Sequence, residues 1–156
     1  MNIIGLGKAG CAIADHFSQY PQYEIYKIDV GLSGERCFNV KPQPGPEEYE
    51  QNAPSFKKFF KDIKGDTVLV IGGSGDVTSL SLRIMHQIKD SCRITVLYIR
   101  PDVELLSEIK KMHERVTFGV LQEYARSGQI EGMCLVSNNL LENILDNVPI
   151  MGYYKK

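Results

Sequence analysis

The sequence predicts an α/β fold, a doubly wound and mainly parallel sheet of five or six strands in a single domain spanning residues 1 to 156. Short apolar runs, rich in β-branched and aromatic residues and bounded by Gly, Pro or Asp, recur along the chain. Segments with helical period separate them. Two glycine-rich loops each follow an apolar run and open a helical segment, the arrangement found at the carboxyl ends of parallel strands.

The first strand is "NIIGL", residues 2 to 6, and the helix after it, "KAGCAIADHFSQY", puts Ile13 and Phe17 on one face. "YEIYKIDV", 23 to 30, is the second strand and ends beside Asp29. The stretch 31 to 54 carries four Pro and three Gly with little apolar period, so it reads as a long loop, a kind of excursion that is commonly functional or mobile. "SFKKFFKDI" reads as a short amphipathic helix, phenylalanines inward and Lys57, Lys58, Lys61 and Lys64 outward, which disfavours a nucleic-acid contact there. "TVLVIGG" at 67 to 73 is the third strand, and the helix after it aligns Leu80, Ile84 and Ile88. "RITVLYIR" at 93 to 100 is the fourth, and the following helical segment aligns Leu105, Ile109 and Met112 as its apolar face. "GMCLVS", 132 to 137, is the last strand.

Composition narrows the function classes. With 18 basic and 19 acidic residues the net charge is −1, so no global positive field favours nucleic acid or an anionic membrane. No apolar run reaches the roughly 18 residues that a membrane span requires. Cys11, Cys37, Cys92 and Cys134 are too scattered for a disulfide framework or a zinc site, and a reducing, cytoplasmic setting is expected. His16, His86 and His113 stand alone on helical patterns, and Glu47 and Glu48 read as solvated charges, so no catalytic residue and no metal ligand is assigned.

The loop "GLGKAG" presents Gly5 for a tight turn, Gly7 for close approach of main chain to a phosphate, and Gly10 for packing of helix on strand. Asp29, an acid closing the second strand, completes the pattern of a nicotinamide dinucleotide site. The second loop, "GGSGDVTS", repeats the device with Gly72, Gly73, Ser74, Gly75, Asp76, Thr78 and Ser79. Two such loops on neighbouring strands would hold one polyphosphate from two sides.

In the order of its motifs the whole chain resembles the tubulin/FtsZ family, as the N-terminal nucleotide-binding half of a longer member. Gly7-Lys8-Ala9-Gly10-Cys11-Ala12 stands where the family has GxGGxG or GQCGNQ, and "GGSGDVTS" where it has GGGTGTG or GGGTGSG. "ITVLYIRPD" resembles the family's "LTVAVVTKPF", "LVSNNLLENIL" its "VIPNDRLL" or "CIDNEALYDI", and "DNVPIMGYYKK" the approach to its central helix. The resemblance implies a guanine nucleotide, GTP or GDP with Mg2+, its phosphates between residues 7 to 10 and 72 to 79, its ribose near Asp29 and its base read by the amide of Asn138. Lys8, Ala9 and Cys11 complete the implied site. It also implies head-to-tail filaments of identical copies in the cytoplasm of a cell or of an infected host.

Asp76 and Val77 depart from the family's glycine-threonine loop, and Cys11 replaces its Asn. A carboxylate beside a triphosphate is repulsive unless a cation or a proton intervenes, so Asp76 is expected to cap the helix starting near Val77, and Cys11 to act as a small apolar filler. These departures point to a remote branch, virus- or plasmid-encoded. In the family the catalytic acids lie in a loop after the central helix and act on the nucleotide of the next subunit. The chain stops at Lys156, before both, so the C-terminal activation domain is expected to be absent and hydrolysis to need it in trans, these residues being either a fragment of a longer product or a shortened relative that kept only the binding half. Three readings stay open: a GTP-dependent assembling protein, a NAD(P)-binding Rossmann domain of an oxidoreductase, and a structural protein that keeps the fold without a nucleotide.

Overall fold

The computed structural model describes residues 1–137 except 33, 35, 53–54, 73–75 and 101–105. Six strands form one sheet in the order β3-β2-β1-β4-β5-β6, every pair parallel. They are β1 (Asn2–Leu6), β2 (Glu24–Asp29), β3 (Cys37–Asn39), β4 (Gly65–Gly72), β5 (Cys92–Arg100) and β6 (Gly132–Ser137). Among them run α1 (Gly7–Phe17), α2 (Pro46–Gln51), a 3-10 turn (Asp76–Leu80), α3 (Ser81–Ile88) and α4 (Glu108–Arg126). The doubly wound α/β fold expected from the sequence is therefore the fold observed.

Strand order explains the layers. The chain steps from β1 to β2 and β3 on one side, then returns to β4 and steps to β5 and β6 on the other. Right-handed crossovers in opposite directions must put their helices on opposite faces. Accordingly Ala14, Ile13 and Phe17 of α1 pack on one face, against Ile3, Val70 and Ile99. Ile84, Met85 and Ile88 of α3, Leu121 of α4 and Tyr49 of α2 pack on the other, against Ile4, Leu6, Leu69, Ile71, Val96 and Tyr98. β1 lies between two partners and is buried along all five residues, which is why Ile3 to Leu6 read as an apolar run. Asn2 is buried only because its amide donates to the Lys64 carbonyl at 2.9 Å and the Thr67 hydroxyl at 3.2 Å.

Four expectations need correction. The excursion at 31 to 54 contains both β3 and α2, where the sequence had suggested only a loop. The "SFKKFFKDI" segment forms turns, not a helix, closed by a Phe60 N–H to Phe56 carbonyl bond of 2.9 Å. Its side chains still sort as expected, with Phe56 and Phe60 buried and Lys57, Lys58, Lys61 and Lys64 exposed. The reason is an aromatic cluster: Phe38, Phe56, Phe59, Phe60 and Tyr26 meet at ring distances of 4.7 to 6.1 Å and fix the backbone without a helical ladder.

The third correction concerns α4. Ile109 and Met112 are 65% and 51% exposed, so they are not the core face; Leu105 lies outside the described residues. The buried face carries Glu114, Phe118, Leu121 and Ala125 instead. Glu114 is 3% exposed because Tyr98 donates its hydroxyl to the carboxylate at 3.1 Å and the Arg100 Nε lies 3.6 Å away. A polar residue with a buried partner thus sets the rotation of the helix, a contact invisible to periodicity. The fourth concerns Gly5, which lies within β1 and makes no turn. A Cβ there would overlap the carbonyl of Gly10, so Gly5 is small to admit α1.

Candidate functional site

The reversal of strand order between β1 and β4 opens a crevice at their carboxyl ends, the place where open α/β sheets receive ligands. Leu6 pairs with Ile28 on one side and with Ile71 on the other. The next residues, Asp29, Gly7 and Gly72, therefore form one row across the rim, spanning two inter-strand spacings or roughly 10 Å. Three residues far apart in sequence are brought level by register alone.

At this rim the turn belongs to Gly7, whose φ of +77° an L side chain adopts only with strain; among the described residues no atom lies within 4 Å of where its Cβ would stand. Gly10 faces inward, and a Cβ there would overlap the carbonyl of Val70. Gly72 meets α1 from the other side, its Cβ position 3.2 Å from the Cβ of Ala9. The glycines at 5, 10 and 72 thus press α1 down between β1 and β4, and Gly7, itself buried, makes the turn from β1 into α1. No side chain caps the first turn of α1, and that turn contains no acid, so its N–H groups face the rim uncapped by any described side chain. Lys8 is exposed and makes no ion pair with any described residue.

Cys11 is buried, and its thiol donates to the carbonyls of Gly5 at 3.4 Å and Ile28 at 3.6 Å, below the rim. Burial pushes the thiol up from 9.0 to about 12, which disfavours the thiolate at ordinary pH and makes Cys11 a poor nucleophile. Its role in the structure is that of a small filler between α1 and β2.

The helical run on the second loop's side begins at Asp76, one residue earlier than expected, and as a 3-10 turn before α3. Thr78 is 3% exposed and Ser79 half-buried. Both are therefore tied into the fold around Val77 and Leu80. The 3-10 turn abuts α1, so the first loop and the start of this segment share the same rim. Gly73, Ser74, Gly75 and Asn138 lie outside the described residues.

One wall was not legible in the sequence. α2 packs on the 3-10 turn, which brings part of the proline-rich excursion to the site's border. Pro46 at the first helical position, followed by Glu47 and Glu48, is a helix-start signal that the four prolines of the stretch obscured. The cleft at the opposite rim, about 180 Å³ among Met1, Asp66, Thr67, Arg93 and Glu131, is spanned by an Arg93–Asp66 ion pair of 2.8 Å. The Arg93 and Asp66 charges there engage each other.

No family model matches the sequence, and no curated protein matches it. Solved structures do share its fold. GDP-form protofilaments of TubZ from Bacillus thuringiensis serovar israelensis match with a TM-score of 0.69 and 13% identity, over 99% of this chain and 50% of that one. A GTPγS-form protofilament of the same TubZ matches with a TM-score of 0.68 and 12% identity, over 94% of this chain and 48% of that one. The chain thus spans about half the length of these TubZ chains, and at such identity the likeness is one of fold. Among the described residues no helix is long and apolar enough to cross a membrane.

Proposed function

We propose that this chain is a tubulin-like, guanine-nucleotide-binding protein that assembles with copies of itself head to tail. The observation that carries the reading is the row of Gly7 and Gly72 on one rim, with Lys8 exposed beside it, on a fold shared with TubZ in its GDP and GTPγS forms. In this reading the phosphates lie over Gly7 to Gly10 and the loop from Gly72 to Thr78, which includes Gly73, Ser74, Gly75 and Asp76. Main-chain N–H groups supply most of the attraction, and Lys8 adds a mobile positive charge. Mg2+ would offset the carboxylate of Asp76. The ribose lies toward Asp29 and the base toward Asn138. Cys11 contributes through its main chain and its packing.

A second reading has one observation in its favour. Asp29 stands level with Gly7 at the end of β2, the position from which an acid binds the ribose of a nicotinamide dinucleotide. Calorimetric titration of the purified chain with GTP, ATP and NAD separates the two. Preference for GTP supports the proposal, preference for NAD replaces it with the dinucleotide reading, and silence from all three leaves a structural protein. Asn138→Ala should reduce the preference for GTP over ATP while phosphate affinity persists; unchanged selectivity removes Asn138 from the site.

A further inference from the structure

We infer that the segment "FKKFFKDIK", residues 56 to 64, is a docking surface for a short acidic segment of a partner polypeptide. It carries four lysines and one aspartate in a chain whose net charge is −1, so outside it acidic residues outnumber basic ones. Lys57, Lys58, Lys61 and Lys64 are all exposed, and none makes an ion pair with any described residue, although Lys27, Arg36, Arg93 and Lys111 each find an acid. The fold holds these like charges together. The Phe56 N–H donates to the Gln87 Oε1 at 2.8 Å, the Phe60 N–H to the Phe56 carbonyl at 2.9 Å, and the Lys64 carbonyl accepts from the Asn2 amide at 2.9 Å. Phe56, Phe60 and Ile63 are buried beneath the lysines, so core packing fixes the backbone that displays them. Neighbouring ammonium groups repel one another, and an acidic ligand relieves that repulsion on binding.

The extent of the charge commits the occupant. A nucleic-acid duplex or an anionic bilayer reaches well past so small a patch, and there it meets the acidic surplus of the rest of the chain. A short carboxylate-rich segment stays within reach of the four ammonium groups and escapes that penalty. Asp62, exposed among the lysines, is the one charge of the segment that opposes such a ligand. Lys64 directly precedes Gly65, the first residue of β4, so the segment leads into the amino end of the sheet, away from Gly7 and Gly72 at the carboxyl rim. The surface needs no ligand at that rim and stands independently of the nucleotide reading.

Fluorescence anisotropy of labelled octaglutamate, titrated with the 156-residue chain in nucleotide-free buffer, tests it beside a short labelled DNA duplex and phosphatidylcholine vesicles holding about 30% phosphatidylserine. Octaglutamate should bind in about 20 mM salt, more tightly than the duplex or the vesicles, and at least about tenfold more weakly in about 300 mM salt. Lys57→Gln with Lys61→Gln should weaken it about fivefold, whereas Lys110→Gln with Arg115→Gln, two exposed charges on α4, should change it by less than about twofold. Asp62→Asn should tighten it about twofold, a gain that damage to the fold does not produce. Circular dichroism confirms that each variant is folded. No binding of octaglutamate in low salt, tighter binding of duplex or vesicles, equal losses from the two double variants, or no gain from Asp62→Asn would each overturn the inference.

Discussion

Replacing Gly7 and Gly10 by Ala, one at a time, separates two roles that a glycine-rich loop conceals. At Gly10 the new Cβ overlaps the Val70 carbonyl and lies 3.3 Å from the Gly5 carbonyl carbon. Both neighbours are backbone in the buried contact of α1 with β1 and β4, so no side chain can turn aside. Relief requires α1 to lift by on the order of 1 Å from a close-packed interface, and a cost of about 3 kcal/mol or more is expected. At Gly7 no atom of the described residues lies within 4 Å, and the cost is that of holding an L residue at φ +77°, about 1 to 2 kcal/mol. The difference of roughly 2 kcal/mol corresponds to a midpoint separation of about 1 M in urea. Urea unfolding followed by circular dichroism measures it. Gly7→Ala should fold, and under the proposed function it should lose GTP affinity in calorimetry, because its methyl group enters the space open to a phosphate. Equal destabilisation by the two variants, or a milder effect at Gly10, would refute the described packing of α1 between β1 and β4.

Cys11→Ala should cost about 1 kcal/mol at pH 7.5 but lessen the loss of stability in alkali. The fold holds the thiol proton more tightly than the unfolded chain does, so stability is intact below the unfolded value near 9 and falls by at most about 1.4 kcal/mol per pH unit as pH rises toward 12. Urea midpoints at pH 7.5 and 10.5 check it; parallel losses in parent and variant would remove Cys11 from the alkaline response. Burial and the neighbouring Glu114 carboxylate also push the Tyr98 hydroxyl well above its usual range, so Tyr98→Phe should blunt the same alkaline limb. Glu114→Ala should destabilise by about 3 kcal/mol by stranding the Tyr98 hydroxyl, and combined with Tyr98→Phe it should be markedly less than additive in a thermodynamic cycle. Lys8→Ala should leave the unfolding midpoint unchanged, its side chain being exposed, and weaken GTP binding severalfold by calorimetry. An unaltered affinity would take Lys8 out of the site.

The sequence alone determined where most strands lie and that the fold is α/β. β1, β4 and β5 each have a neighbour on both sides and little exposed surface along their central residues, so those residues are almost all apolar and announce themselves locally. β3 escaped notice because three residues paired to a single neighbour need no apolar run. The glycine positions were equally legible, but their division of labour was not, since Gly5 and Gly10 are small for the sake of each other and of Val70, a contact between segments some 60 residues apart. Only the tertiary structure decided that Asp29, Gly7 and Gly72 share one rim and that α4 turns Glu114 inward and Ile109, Met112 and Val116 outward. Periodicity reports which side chains along one segment share a face. Which face meets the sheet is fixed by partners elsewhere in the chain, here Tyr98 and Arg100 on β5, and no local pattern carries that information.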